Sequence, residues 1–282
     1  MNDQAQHEDE TFDGFRGLPE GSLRVLQITD PHLYEDTSQR LVGVKTHDSF
    51  ESVVALARRA LPVDLVLLTG DLVHDSSPAG YERFRLTIET LGAPGFCLPG
   101  NHDVTEVMTR CLNNGQLKAL NCDRVGPWGF VMLDSTIPYE AGSRFTEAEL
   151  ARMERCLEGL RDCHVLVCLH HQPLPMESTW LDTMMVENRE AFWAIIDRFP
   201  NVRGILFGHV HQQFDSMRNG IPVMATPSTS IQFAPKRVDF GLDAIPPGYR
   251  WLALLPDGTI RTGVERLTDA PEGLELDIWG YM

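Results

Sequence analysis

Short apolar runs recur along the first two hundred residues, and polar or amphipathic stretches separate them. Six runs rich in Val, Ile, Leu and Phe have the length and composition of buried strands, at 23–29, 63–69, 96–99, 128–134, 164–169 and 203–207. Apolar positions close to a 3.6-residue period predict helices over 48–61, 146–160 and 188–199, the second opening with a capping box of Thr146 and Glu149. Strands that alternate with helices in this way predict a layered α/β domain.

The pattern changes after Val210, where shorter apolar segments alternate with turns. The pairs Asn219-Gly220 and Asp257-Gly258 are hairpin signals, so we expect antiparallel strands at the C-terminal end. No internal repeat or linker interrupts the chain, and residues 23–282 are expected to form one domain. Residues 1–22 are acidic and poor in apolar side chains, which predicts a disordered or loosely docked arm rather than a signal peptide.

Composition is that of a globular protein, with 43% hydrophobic and 23% charged residues. No run approaches the about 18 apolar residues that a membrane-spanning helix needs, so no membrane span is expected. The six cysteines lack CxxC spacing, and several lie in or beside apolar runs. This usage predicts buried free thiols rather than disulfides or a zinc site, and therefore a cytoplasmic location.

The chain is strongly acidic, with 24 Lys and Arg against 40 Asp and Glu and a formal net charge of -16. It has no basic stripe, which argues against long nucleic acid as a partner. The sequence gives no prediction of oligomeric state. If the substrate carries phosphate, the positive charge needed to bind it must come from another source, such as metal ions.

Histidine, aspartate and asparagine follow five of the predicted strands. In chain order they are Asp30 and His32, then Asp71, then Asn101, His102 and Asp103, then His170 and His171, and finally His209 and His211. Each residue alone could belong to an ordinary turn or loop. Because ligands of α/β sheets bind outside the carboxyl ends of the strands, we expect the set to converge. The other histidines, His7, His47, His74 and His164, are expected to be structural.

A mixture of imidazole, carboxylate and amide ligands favours Mn, Fe, Co or Zn over Ca or Mg. The lack of thiolates in the set argues against a structural zinc finger. A set of this size offers too many ligands for one ion, whereas two ions that share a carboxylate would fit. Two ions about 3.5–4 Å apart can clamp a phosphoryl group between the attacking and leaving oxygens.

The motifs "DPH", "GD", "GNHD", "HH" and "GHVH", in this order, resemble those of the calcineurin-like metallophosphoesterases. The longer stretches "LQITDPHL", "LVGVKTHDS", "LLTGDLVHD", "LHHQPLP", "STWLD" and "ATPSTSIQF" are similar to bacterial class III 3′,5′-cyclic AMP phosphodiesterases, over nearly the whole chain after residue 22. The resemblance implies a metallophosphoesterase fold, with two packed mixed β-sheets flanked by helices in an αββα sandwich.

The resemblance also implies a ligand set for two divalent or mixed-valence transition metal ions, foremost iron or manganese, with zinc or cobalt as alternatives. One ion would be held by Asp30, His32, Asp71 and His211, and the other by Asp71, Asn101, His170 and His209. Substrate would contact His32, Asp71, Asn101, His102, His171 and His211. This chain departs from the family in having His74 where a second aspartate is usual, followed by Asp75. We leave both residues out of the ligand set.

The implied activity is hydrolysis of 3′,5′-cyclic AMP to 5′-AMP by in-line attack of a metal-bridging hydroxide. His102 would protonate or polarise the departing 3′ oxygen of the ribose. Two alternatives stay open, namely another small-molecule metallophosphoesterase (a glycerophosphodiesterase or a nucleotide-lipid pyrophosphohydrolase) and an inactive binding module of the same fold. The presence of all seven ligands argues against the inactive module. Residues 226–233 either help to shape a nucleoside pocket or form an ordinary strand and turn beneath the site.

Overall fold

The computed structural model of the protein describes residues 12–280. In chain order the strands are β1 (Leu23–Ile28), β2 (Arg40–Leu41), β3 (Val44–Lys45), β4 (Leu65–Thr69), β5 (Gly95–Leu98), β6 (Leu117–Ala119), β7 (Cys122–Val125), β8 (Trp128–Met132), β9 (Thr136–Ile137), β10 (Glu140–Ser143), β11 (His164–Cys168), β12 (Val202–Phe207), β13 (Phe214–Arg218), β14 (Ile221–Ala225), β15 (Gln232–Phe233), β16 (Leu242–Asp243), β17 (Gly248–Leu254) and β18 (Ile260–Arg266). The helices are α1 (Thr46–Ala57), α2 (Pro78–Glu89), α3 (Thr105–Leu112), α4 (Glu147–Gly159), α5 (Thr179–Asp182) and α6 (Arg189–Ile196), with a 3₁₀ turn (Arg58–Ala60) after α1.

All six predicted strands are present, as β1, β4, β5, β8, β11 and β12, and the three predicted helices are α1, α4 and α6. The six strands belong to two six-stranded sheets, ordered β18-β17-β1-β4-β5-β6 and β13-β14-β12-β11-β8-β7. In the first sheet β1, β4, β5 and β6 run parallel, and in the second sheet β8, β11, β12 and β14 do. The remaining strands, β7, β13, β17 and β18, pair antiparallel with their neighbours. The mixed two-sheet fold is therefore confirmed.

The two C-terminal hairpins are present, as β13–β14 and β17–β18. They do not form a separate antiparallel sheet. Each hairpin extends an edge of one existing sheet, β17 beside β1 and β14 beside β12, and β14 runs parallel to β12. The hairpin signals thus locate the turns correctly but do not indicate the neighbouring strand.

Helices cover the outer faces of the two sheets, and the inner faces pack on each other. Side chains of β1 alternate accordingly, since Val25 joins the core between the sheets while Leu26 and Ile28 join the core under the helices of the first sheet. A third core lies under α4 and α6 on the second sheet. The layer order is αββα. Among the helices of residues 12–280, none has the length and apolar composition to cross a membrane.

The predicted N-terminal arm lies only partly within the described residues, because residues 1–11 are outside them. Farther along, Phe12 and Phe15 pack edge-on against Trp251, with ring centroids 6.0 and 5.9 Å away. Such aromatic pairs contribute about 0.5–1.5 kcal/mol beyond the area that they bury. The segment after residue 11 is therefore held on β17, and the domain boundary at residue 23 stays a prediction.

The predicted capping box of α4 forms only in half. The Thr146 hydroxyl accepts a hydrogen bond from the Glu149 backbone N–H at 3.1 Å, as expected of an N-cap residue. The carboxylate of Glu149 instead accepts from the backbone N–H of Asp134 at 2.8 Å and from Arg152. This half of the prediction is wrong because Glu149 holds the turn after β8.

All six cysteines are free, as predicted, but only Cys97, Cys163 and Cys168 are buried, and the other three are partly exposed. The half-buried thiols of Cys122 and Cys156 contact each other between β7 and α4. A hydrogen bond from Cys122 lowers the pKa of Cys156, burial opposes this, and the Arg152 guanidinium lowers it further, to about 7. The pKa of Cys122 is raised by the same hydrogen bond.

Cys156 should therefore alkylate at lower pH than the other thiols, because the thiolate is the reactive form. Its rate of reaction with iodoacetamide should rise with a midpoint near pH 7, against about 8.5 for an ordinary cysteine. Replacement Cys122→Ala removes the donor and should move that midpoint upward. Peptide mass mapping between pH 6 and 9 measures the midpoint in the parent and in the variant. An unchanged midpoint in Cys122→Ala would contradict the contact between the two thiols.

Candidate metal centre

Carboxyl ends of strands from both sheets meet at one edge of the molecule and carry the predicted residues. The first sheet supplies Asp30 and His32 after β1, Asp71 after β4, and Asn101 after β5. The second sheet supplies His170 after β11, and His209 and His211 after β12. The expected convergence is confirmed, since the histidine and carboxylate ligand atoms form overlapping groups within 4.8 Å.

Asp71 lies between two groups of ligand atoms. Its Oδ2 is 3.6 Å from Nε2 of His32 and 3.3 Å from Nε2 of His170. On the His32 side, Nε2 of His211 is 3.1 Å from Nε2 of His32 and 3.4 Å from Oδ1 of Asp30. One carboxylate oxygen thus reaches histidines of both groups, which is the arrangement that two ions sharing a ligand require.

Buried polar atoms at the centre lack partners within the described part of the chain. Oδ1 of Asn101 and Nε2 of His209 make no hydrogen bond there. Ring nitrogens on the far side are engaged, since Nδ1 of His170 lies 2.8 Å from the Thr69 carbonyl and Nδ1 of His211 2.9 Å from that of Ile231. An Nδ1–H that donates to a carbonyl turns Nε2 toward the centre, as in metal-binding histidines.

Charges at the centre also suit a cation. Burial lowers the pKa of His32 and His209 well below the usual value, so these rings are neutral and keep a lone pair. Burial tends to raise the pKa of Asp71, but the imidazoles around it hold that pKa well below the usual range. Burial likewise lowers the pKa of His170, yet the Asp71 and Asp30 charges raise it to about 9, so an ion bound at this ring would displace a proton. The ionised Asp71 and the neutral rings are already in the state that a metal ion binds.

The backbone of the centre is unusual. Asp30, His32, Asp71, His209 and His211 all have positive φ, between 47° and 64°. Non-glycine residues rarely adopt this left-handed conformation, and each instance costs about 1–3 kcal/mol. Such backbone strain clusters at functional sites.

Glycine precedes three of the ligand clusters because the loops touch there. A Cβ on Gly100 would overlap the backbone and carboxylate of Asp71, and one on Gly208 would overlap the Thr29 hydroxyl. Any other residue would push the loops apart. The glycines that stand out in the sequence are therefore required for close approach of backbone to ligand.

Asp103 connects the loops after β4 and β5. Its Oδ2 accepts from the backbone N–H groups of Leu72 at 3.0 Å and Gly100 at 2.9 Å. Its Oδ1 accepts from the N–H of Val73 at 3.2 Å and the hydroxyl of Tyr81 at 2.7 Å. The sequence places Asp103 in the GNHD motif, but its role as a tie between the loops is apparent only in the structure.

Residues 226–230 lie fully buried beneath the centre. The hydroxyls of Ser228 and Ser230 both donate to the carbonyl of Asp30, at 2.7 and 3.0 Å. The Thr226 hydroxyl donates to the Gln27 side chain, which also bridges the sheets through the Phe207 carbonyl. For residues 226–230, the structure thus favours an ordinary strand and turn beneath the site over a nucleoside pocket.

Three further histidines surround the cluster. His171 is buried with Nδ1 2.9 Å from the Ser135 hydroxyl, and one of its ring nitrogens lies within 4.8 Å of ring nitrogens of His170 and His209. His102 is half-buried at the opening, and its ring stacks on that of His74 with centroids 4.3 Å apart.

The residues left out of the ligand set lie around it. Nδ1 of His74 is 3.2 Å from Nδ1 of His32, so this histidine packs directly against the centre. Burial lowers the pKa of His74 to about 4. Asp75 accepts from the backbone N–H groups of Glu35 and Ser77 in an ordinary turn. His7 lies outside the described residues.

The two-sheet fold and its histidine–carboxylate centre define the class of protein as a metal-dependent phosphoesterase. The profile of the calcineurin-like phosphoesterases matches residues 23–213, and the chain belongs to this family. Among its relatives is the 3′,5′-cyclic adenosine monophosphate phosphodiesterase CpdA of Vibrio vulnificus, 42% identical over 252 residues that cover 89% of this chain and 92% of the relative. The protein of the same name from Escherichia coli K12 is 38% identical over the same shares of both chains.

Solved structures support the fold independently. A dimetal phosphatase from Danio rerio superposes with a TM-score of 0.56 at 13% identity, covering 89% of this chain and 99% of that one. A purple acid phosphatase from yellow lupin reaches a TM-score of 0.63 at 14% identity, over 87% of this chain and 51% of that one. At such low identities these likenesses show the fold alone.

Replacement Asp103→Asn should destabilise the protein. The amide would present a donor to backbone N–H groups that now have an acceptor, and buried donors left without partners cost about 1–3 kcal/mol each. The free energy of unfolding, measured by urea denaturation with a chelator present, should fall by about 2 kcal/mol or more. The matched variant Glu106→Gln, at an exposed position of α3, should stay within about 0.5 kcal/mol of the parent. Equal effects of the two variants would contradict this role for Asp103.

Proposed function

We propose that this protein hydrolyses 3′,5′-cyclic AMP to 5′-AMP with two divalent transition-metal ions bound at the centre. The observation that carries the proposal is the position of Asp71 between two groups of ligand atoms. Relatives that are 42% and 38% identical over 89% of the chain are named cyclic AMP phosphodiesterases. One line of support is the geometry of the centre, and the other is the similarity to these relatives.

One ion would be held by Asp30, His32, Asp71 and His211, and the other by Asp71, Asn101, His170 and His209. The unpaired buried atoms of Asn101 and His209 support the second set. Nitrogen and oxygen donors without thiolates favour iron or manganese, with zinc or cobalt as alternatives. The six free cysteines support a cytoplasmic location.

Bound divalent ions would offset the charge of the phosphate and supply hydroxide near neutral pH. The protein's own contribution is to hold the substrate at the opening of the centre. Asn101 and His102 are only half-buried there, whereas the ligands behind them are buried. The backbone N–H of His102 donates to Oδ1 of Asp71 at 2.9 Å, which positions its ring at the same opening. From there the imidazole would donate a proton to the departing 3′ oxygen of the ribose.

Protein loaded with Mn²⁺ should hydrolyse 3′,5′-cyclic AMP to 5′-AMP, and Asn101→Ala should abolish this activity. The reason is that the variant removes one ligand of the second ion while leaving the first set intact. Hydrolysis is measured by chromatography of the products, beside 2′,3′-cyclic AMP and bis-p-nitrophenyl phosphate. Elemental analysis of the same samples should show less metal per chain in the variant than in the parent.

Cleavage of bis-p-nitrophenyl phosphate alone would agree with the metal centre but would overturn the assignment of cyclic AMP as substrate. Glycerophosphodiesters and nucleotide-lipid pyrophosphates would then be the substrates to test. No hydrolysis of any of these by metal-loaded protein would indicate an inactive binding module.

Replacement His102→Ala should slow cyclic AMP hydrolysis far more than bis-p-nitrophenyl phosphate hydrolysis. General-acid assistance is worth about 10²–10⁴-fold for a poor leaving group such as a ribose alkoxide, whereas p-nitrophenolate departs without it. The turnover numbers of both substrates are compared in parent and variant. His164→Ala is the control, since this ring lies at the opposite end of β11 against the Pro256 carbonyl. Equal losses on both substrates in His102→Ala would exclude the general-acid role.

A further inference from the structure

A cavity of about 370 Å³ opens directly beside Asn101 and His102. Its apolar lining comes from Val104, at the start of α3, and from Ile137, Pro138 and Tyr139 in the β9–β10 ribbon. Tyr139 is 94% exposed and Val104 is 37% exposed, although both adjoin the polar centre. Cavities of this size, apolar and with polar groups at one end, are typical of sites for small ligands.

The two walls of the cavity are joined through a shared hydrogen-bond acceptor. The carboxylate of Asp134 accepts from the Thr105 hydroxyl of one wall at 3.0 Å and from the Thr136 hydroxyl of the other at 2.6 Å. The next residue, Ser135, contacts the ring of His171. The spacing of the walls is therefore set before a ligand arrives, which lowers the free energy cost of binding.

We propose that this cavity binds the purine base of the nucleotide, with the Tyr139 ring stacked on it. The inference rests on the proposed function, because it takes the phosphate at the centre and the ribose oxygen at His102 as given. The base is joined to that ribose, so it must lie on a surface that adjoins His102. The apolar surface there is the wall formed by Val104 and the ribbon, and an exposed aromatic ring on it offers a stacking partner for any base.

A second cavity, of about 510 Å³, adjoins the centre on the His211 side. Two carboxylates line each cavity, Asp215 and Asp243 in this one and Asp103 and Glu106 in the first, so charge does not separate them. The lining of the second cavity also includes the 43% exposed Ile245. Neither Asn101 nor His102 belongs to that lining. It is the competing position for the base, and Ile245 provides a matched control for Tyr139.

The test compares competitive inhibition by 5′-AMP and by ribose 5-phosphate, which differ only in the base. Bis-p-nitrophenyl phosphate is the reporter substrate, with KM determined for each variant. In Tyr139→Ala the inhibition constant of 5′-AMP should rise about 5-fold or more, as expected when a base loses an aromatic partner. That of ribose 5-phosphate should not change. Tyr139→Phe, which retains the ring, and Ile245→Ala should both behave as the parent protein.

Three results would overturn the inference. They are an equal change for both inhibitors in Tyr139→Ala, a loss in Tyr139→Phe as large as in Tyr139→Ala, and a selective loss of 5′-AMP binding in Ile245→Ala instead. Because the side chain of Tyr139 is almost fully exposed, its replacement leaves the fold intact. Failure of the parent protein to hydrolyse cyclic AMP would overturn the proposed function separately, since the inhibition constants need only the reporter.

Discussion

The carboxylate of Asp103 accepts hydrogen bonds from the backbone of two loops, one after β4 and one after β5. Each loop carries a side chain of the centre, Asp71 on the first and Asn101 on the second. The separation of these two side chains therefore follows from a third, buried carboxylate. Gly100 lets the loops come close enough for this contact, and the ring of His102 and the cavity beside it are positioned from the same loop.

The conformation of the centre has an unfavourable local free energy. Five of its residues have left-handed backbone, and several buried polar atoms have no partner in the described chain. The three apolar cores around the two sheets supply the stability that offsets this cost. Cations bound at the centre would add to that stability, because they bind the folded chain and not an unfolded one. Local conflict of this kind is expected at a functional site.

The sequence predicts the strands well because buried parallel strands are continuous apolar runs, and the polar residues after them mark the site. It does not predict α2, whose apolar positions Tyr81, Phe84 and Ile88 follow Pro78 and a glycine that suggest a turn. Nor does it predict α3 and the β9–β10 ribbon, which are too short to show a period.

The support beneath the centre is equally invisible in the sequence. Ser228 donates to the carbonyl of Asp30 across 198 positions of sequence, and no local pattern indicates such a contact.

The strand order of the first sheet has a consequence for synthesis of the chain. β1 is made first, yet its antiparallel neighbour β17 is made after every other strand of the sheet except β18. Until then β1 presents an open edge on which foreign strands can pair, so the nascent chain depends on its final hairpin for protection against aggregation.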